Sequence, residues 1–187
     1  VCVNSGFVSL AKEQVKNTDI KVCSVIGFTL GSMSAKANEE EKKHALKDGS
    51  DARHMVLNIG LLKTKDFVAV CKDIEAVKKT MPNQTLKVIL ETCYLDDLEI
   101  IKASELAINS GADFIKTSTG FGSGGATINH VKLMKSVIAS GKTKIKASGG
   151  IRNTKTALDY INMGVERIGT SNGIAIVTGD SSEGNNY

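Results

Sequence analysis

The chain has 187 residues, is 41% hydrophobic and 24% charged, and carries a net charge of +4. That length is enough for one domain with its own core, and 4% aromatic residues leave few stacking platforms for single-stranded nucleic acid. No run reaches the roughly 18 apolar residues of a membrane span. The four cysteines, Cys2, Cys23, Cys71 and Cys93, form neither a CxxC pair nor a local metal-ligand spacing, so a reducing, cytoplasmic setting is expected.

Taken in chain order, β-rich runs alternate with helical ones. "VCVNS" at residue 1 and "IKVCSVIGF" at 20 read as strands, and "EEEKKHALKDGSD" follows as a helix that Gly49 stops. "HMVLNIG" at 54 is the next strand, then "DFVAVCKDIEAVKKTM", which sets Phe67, Val70, Cys71, Ile74 and Val77 on one helical face. "LKVILETCY" at 86 precedes "DDLEIIKASELAINSGAD", a helix with acids at its start and Gly111 at its end. "DFIKTSTG" at 113, "KIKASGG" at 144 and "RIGTS" at 167 complete the strands.

Strands alternating with helices imply a parallel sheet. The units fit either a TIM (β/α)8 barrel lacking its first strand-helix unit or an open doubly wound sheet. Polar and glycine-rich strand ends ("NIG", "ETC", "KTSTG", "KASGG", "GTSNG") favour the barrel, whose site is built at the C-terminal ends of many strands. No GxGxxG follows the first strand, which counts against a dinucleotide fold. Residues 1–180 are expected to form one barrel domain and residues 181–187 a flexible tail.

Lys116 and Lys146 occupy equivalent places near the ends of consecutive strands, each followed by small polar residues and glycines. Two ammonium groups brought together disfavour a shared charged state, so one amine becomes neutral and nucleophilic towards carbonyls. The second is then available for proton transfer. A single strand-end lysine would more simply snorkel to solvent; the pairing argues otherwise. Lys144 and Lys87 compete, but both lie nearer their strand starts. "SGGIR" and "GTSNG" offer backbone N–H groups to a phosphate, with Thr119 and Gly120 from the lysine loop beside them, although the same glycines also suit plain turns. His44 and His130 fall in helical segments, and no two histidines have a local metal spacing.

The motifs "VCVNSGFV", "KVCSVIGFTLG", "HMVLNIG", "LKVILETCYL", "GADFIKTSTGFGSGGAT", "KIKASGGIR" and "RIGTSNGIAI" resemble, in order and over nearly the whole chain, the 2-deoxyribose-5-phosphate aldolase family. The resemblance implies a TIM barrel and a lyase of deoxyribonucleotide catabolism. Such an enzyme cleaves 2-deoxy-D-ribose 5-phosphate reversibly to D-glyceraldehyde 3-phosphate and acetaldehyde, with no metal or cofactor. It implies Lys116 as the Schiff-base lysine and Lys146 as proton donor and acceptor. Phosphate contacts are implied at Gly149, Gly150, Ser171 and Asn172, and Tyr187 resembles the family's tail tyrosine. A homodimer is also implied; a nucleic acid or membrane partner is not. A related Schiff-base aldolase of another phosphorylated sugar, or a homologue that binds sugar phosphate without turnover, stands as the alternative.

Three departures from the family pattern matter. The family begins with a further strand and helix, so the chain is expected to be a fragment of a longer protein. "GSDARHMVLNIG" stands where the family reads like "GADEIDMVINIG", which puts His54 at the position of the proton-relay aspartate and Arg53 at an aliphatic position facing the helices. A histidine shuttles protons but supplies no fixed anion, and a buried arginine without a partner is costly. A locally compensated frame slip (ATA-GAC-ATG read as AGA-CAT) accounts for Arg-His, and resequencing codons 52–54 tests it. Thr29 stands where proline is usual, and Asn172 replaces a serine but still offers an amide donor.

Overall fold

The computed structural model describes residues 1–138 and 141–179. The seven expected strands are all present: β1 (Cys2–Val3), β2 (Cys23–Ile26), β3 (Ala52–Val56), β4 (Thr85–Ile89), β5 (Phe114–Lys116), β6 (Lys144–Ser148) and β7 (Arg167–Gly169). They pair in parallel in the order β1-β2-β3-β4-β5-β6-β7. A doubly wound sheet reverses its strand order at a switch point; here every strand lies beside its successor, so the curled sheet is of the TIM-barrel type.

The connections are helical: α1 (Val8–Gln14), α2 (Ala35–Lys47), α3 (Ile59–Lys63) with α4 (Phe67–Lys79), α5 (Asp97–Asn109), α6 (Ile128–Val137), α7 (Thr154–Asn162) and α8 (Gly173–Thr178). Local chemistry sets their ends. The Asp96 carboxylate accepts from the Glu99 amide at 2.8 Å and the Glu99 carboxylate from the Asp96 amide at 2.9 Å, a reciprocal cap that starts α5. Gly111, at φ +87°, ends it, with the Ala112 amide donating to Ala107 O at 3.0 Å. The sequence reading did not separate α3. It is a single short helix capped by Asn58, whose side chain accepts from the Leu61 amide at 3.1 Å.

Acidic residues just before three strands pin the register. The Asp51 carboxylate accepts from the Val22 amide at 2.8 Å, Asp113 from Leu86 at 2.8 Å and Glu166 from Ile145 at 2.9 Å. Each acid ties the start of its own strand to the amide opening the preceding one. A one-residue slip would exchange the two faces of a strand, so these bonds help decide which side chains reach the interior.

The faces are sharply divided. Ile26, Met55, Leu57, Leu86, Val88, Leu90, Ile115, Ile145 and Ala147 join the buried cluster that also takes Val70, Ile74 and Val77 of α4 and Ile100, Ala103 and Ala107 of α5. By alternation, Cys23, His54, Lys87, Lys116 and Lys146 point to the opposite, inner face. Arg53 lies with the helix-facing set and is fully buried. Its Nη2 donates to Ser50 Oγ at 2.8 Å, while Nε and Nη1 have no partner. The burial cost foreseen for this residue is thus visible in the structure.

Candidate active site

Lys116 is the last residue of β5 and Lys146 the third of β6, and the two face each other in register. Lys116 is only 6% exposed, whereas Lys146 is half-buried. Burial first, and the charge of Lys146 second, bring the Lys116 amine down to about 8 from the ordinary 10.5, against the pull of Cys2, Cys23 and Glu91. Like-charge repulsion was expected as the cause, but loss of solvent is the larger one. The Lys146 amine is also lowered, by burial first and then by Lys87 and Arg167. Lys144 is exposed at the start of β6. Lys87 does not open its strand: it is the third residue of β4, buried, with its Nζ 5.4 Å from the Phe114 ring centroid, and burial lowers its pKa.

Hydrogen bonds fasten the loop after Lys116 to the end of β6. Thr117 Oγ1 donates to Ser148 O at 3.0 Å and accepts from the Ser148 amide at 3.0 Å, and Ser148 Oγ donates to Ser118 O at 2.7 Å. A Cβ on Gly125 would lie 2.3 Å from Gly149 O, so glycine there lets the "KTSTG" and "KASGG" loops touch. Gly169 plays the same part for the second lysine: a Cβ there would stand 2.9 Å from Lys146 Cε and 2.7 Å from Ser148 Cβ.

Glu91 was not singled out from the sequence, although "ETC" marked a polar strand end. It is 2% exposed and holds φ +54°, the left-handed region that costs an ordinary side chain about 1–2 kcal/mol. Both its carboxylate oxygens accept from the Thr119 amide at 3.2 Å, and the Thr119 hydroxyl donates to it as well. Thr119, a candidate phosphate contact, is thereby turned towards a carboxylate. Gly149 and Gly150, at φ +86° and +76°, follow β6, and Ser171 and Asn172 follow β7. Ser171 is exposed, and its Oγ donates to Asn172 Oδ1 at 3.2 Å. Gly120 has open space around its Cα, at φ +96°. Tyr187 lies outside the described residues.

His54, the central residue of β3, is 1% exposed. Its Nδ1 lies 3.4 Å from Cys2 Sγ and its Nε2 has no partner. Burial first, then the charges of Lys116, Lys146, Lys87 and Arg167, hold its pKa well below 6.5, so the ring is neutral at pH 7. His44 lies on α2, the helical segment expected for it, and is exposed. His130 is not free on the surface: its Nδ1 meets Thr92 Oγ1 at 3.0 Å. Among the described residues no helix is long and apolar enough to cross a membrane.

Comparison with known proteins agrees with this geometry. The deoxyribose-phosphate aldolase of Finegoldia magna is 51% identical over 179 residues, 96% of this chain and 84% of its own length. That of Thermococcus kodakarensis is 50% identical, covering 98% of this chain and 83% of its own. Among solved structures, the aldolase QR15 superposes with a TM-score of 0.89 at 44% identity, over 95% of this chain and 79% of that one. The deoxyribose phosphate aldolase of Aeropyrum pernix, described as a tetramer, gives 0.87 at 27% identity over 95% of this chain and 75% of that one. The profile of the DeoC/LacD family aldolases matches residues 1–178, and the chain belongs to that family.

Proposed function

We propose that the protein is a class I aldolase that cleaves 2-deoxy-D-ribose 5-phosphate reversibly to D-glyceraldehyde 3-phosphate and acetaldehyde through a Schiff base on Lys116. The observation that carries this reading is a buried strand-end lysine whose amine falls to about 8 beside a second lysine. The names of the relatives support the substrate.

The neutral Lys116 amine adds to the open-chain aldehyde, and loss of water leaves an iminium. Lys146 serves as the proton donor and acceptor for these transfers. Removal of the proton from the hydroxyl beside the scissile bond sends its electron pair into a new carbonyl. The C3–C4 bond breaks, and its electrons enter the iminium to give an enamine. Glyceraldehyde 3-phosphate leaves, the enamine is protonated, and water releases acetaldehyde and the free amine. His54, neutral at pH 7, is available to pass a proton but not to balance the lysine charges. Gly149, Gly150, Ser171 and Asn172 would receive the phosphate, with Thr119 and Gly120 at its margin; Tyr187 would act from the tail. Residues 1–180 act as one barrel domain of a cytoplasmic homodimer in this reading, which size-exclusion chromatography with light scattering tests.

Borohydride reduction in the presence of deoxyribose 5-phosphate, followed by peptide mapping, is the direct test. The expected product is a reduced adduct on Lys116 that Lys116→Met abolishes. An adduct on Lys146 or Lys87, or none from folded protein, overturns the assignment.

A further inference from the structure

Two cysteines with no local spacing to each other or to a histidine meet on the inner face of the sheet. Cys2 and Cys23 are register partners on β1 and β2. His54 pairs with Val25 on the next strand, so it points to the same face two residues along. One ligand atom from each of Cys2, Cys23 and His54 lies within 4.8 Å of the others. The Cys2 Sγ to His54 Nδ1 distance is 3.4 Å. In tetrahedral zinc geometry, sulfur and nitrogen ligands stand about 3.6 Å apart and two sulfurs about 3.8 Å. The cluster is therefore close to a ligand set before any ion arrives.

We propose that Cys2, Cys23 and His54 form a three-ligand site for a thiophilic divalent cation of the zinc class, with a fourth position left open. The chemistry of each group suits the role. Metal ligation needs a neutral imidazole and deprotonated thiols. His54 makes no hydrogen-bond contact beyond Cys2, so its ring is not committed to another partner. A coordinated thiol is deprotonated outright, so both cysteines would bind the ion as thiolates. Two thiolates would cancel the charge of the ion, so the complex would add no net positive charge to the lysine-lined interior. Cys23 and His54 are buried, which gives the ion a protected seat.

The site depends on the histidine of this chain. An aspartate at position 54 would replace a borderline-soft nitrogen by a hard oxygen and favour zinc less. A bound ion would occupy His54, which the aldolase reading uses to pass a proton, but the test of this proposal reads the metal and not turnover, so the two can fail separately.

The test is titration of the reduced full chain with Co2+, with equilibrium dialysis for stoichiometry and Zn2+ added as competitor. The expected result is one Co2+ per chain, a thiolate-to-cobalt charge-transfer band, tetrahedral visible bands, and loss of both signals on adding Zn2+. Cys23→Ser should weaken binding by at least about 100-fold and His54→Asn by at least about 10-fold. Cys71→Ser should leave the spectrum unchanged. If Cys23→Ser fails to fold, the exposed Cys2→Ser tests the same band. No charge-transfer band in folded protein, a band that survives loss of Cys2 or Cys23, or one that requires Cys71 overturns the proposal.

Discussion

Replacing Lys146 by methionine keeps the length of the side chain and removes its charge, so it isolates what that charge does to Lys116. The Lys116 amine lies at about 8, down from 10.5. That fall is worth roughly 3 kcal/mol and raises the neutral fraction at pH 7 about 300-fold, to about one-tenth. Burial is the larger cause and Lys146 the next, so removing the charge of Lys146 should give back part of that fall. In Lys146→Met the alkaline limb of Schiff-base formation should therefore move to higher pH, with less neutral amine at pH 7. Glu91→Gln should do the opposite, because the negative charge of Glu91 holds the proton on Lys116. Single-turnover borohydride trapping across pH 6 to 10, quantified on the Lys116 peptide, reads the limb independently of later proton transfers. Limbs that stay in place, or that move the same way in both variants, would refute the electrostatic account.

Three further changes follow from the same packing. A lysine whose folded-state pKa is depressed costs stability in full below about 8, and the cost fades as the pH climbs towards 10.5. Lys116→Met should accordingly gain about 2–3 kcal/mol at pH 7 in urea unfolding, with the gain closing above pH 8; a gap independent of pH would contradict this. Arg53→Leu exchanges a buried, half-partnered guanidinium for an apolar side chain, and the urea midpoint should rise by an amount equivalent to about 1–4 kcal/mol. A lower midpoint would mean that the arginine is better satisfied than its contacts indicate. Gly169→Ala drives a Cβ against Ser148 and the stem of Lys146, and should cut turnover about 10-fold while the circular dichroism spectrum stays unchanged.

The period-2 and period-3.6 patterns made the strands and long helices legible because each buries one face against the other layer. The lysine pair was legible for the same reason. Phe114 and Lys116, like Lys146 and Ser148, sit two apart, and alternation sends each pair to one side. Glu91 was not legible, since its role rests on a left-handed backbone and on a threonine 28 positions away. Neither was the meeting of Cys2, Cys23 and His54. Metal-site spacing rules look for ligands within one turn or hairpin, whereas here each ligand comes from a different strand and only the register unites them.

Strand β3 shows how far two adjacent residues reach. Arg53 and His54 are neighbours in sequence, but the pleat sends them to opposite faces, so one small change enters two environments at once. Outward, a guanidinium is sealed under the helices with Ser50 as its hydrogen-bond partner. Inward, a neutral ring stands among Lys87, Lys116 and Lys146, which act on it by charge and leave it unable to balance them. The outward residue acts on stability, because it makes no contact with the inner face. The inward residue acts on chemistry, because it alters the charge around the amine of Lys116. Reverting each separately should divide the two effects. Arg53→Leu should move the unfolding midpoint and leave the trapping limb in place. His54→Asp places an anion beside the lysines and should raise the limb by favouring the protonated amine. A shift of the limb in Arg53→Leu of the size seen in His54→Asp would show that the two faces of β3 do not act independently.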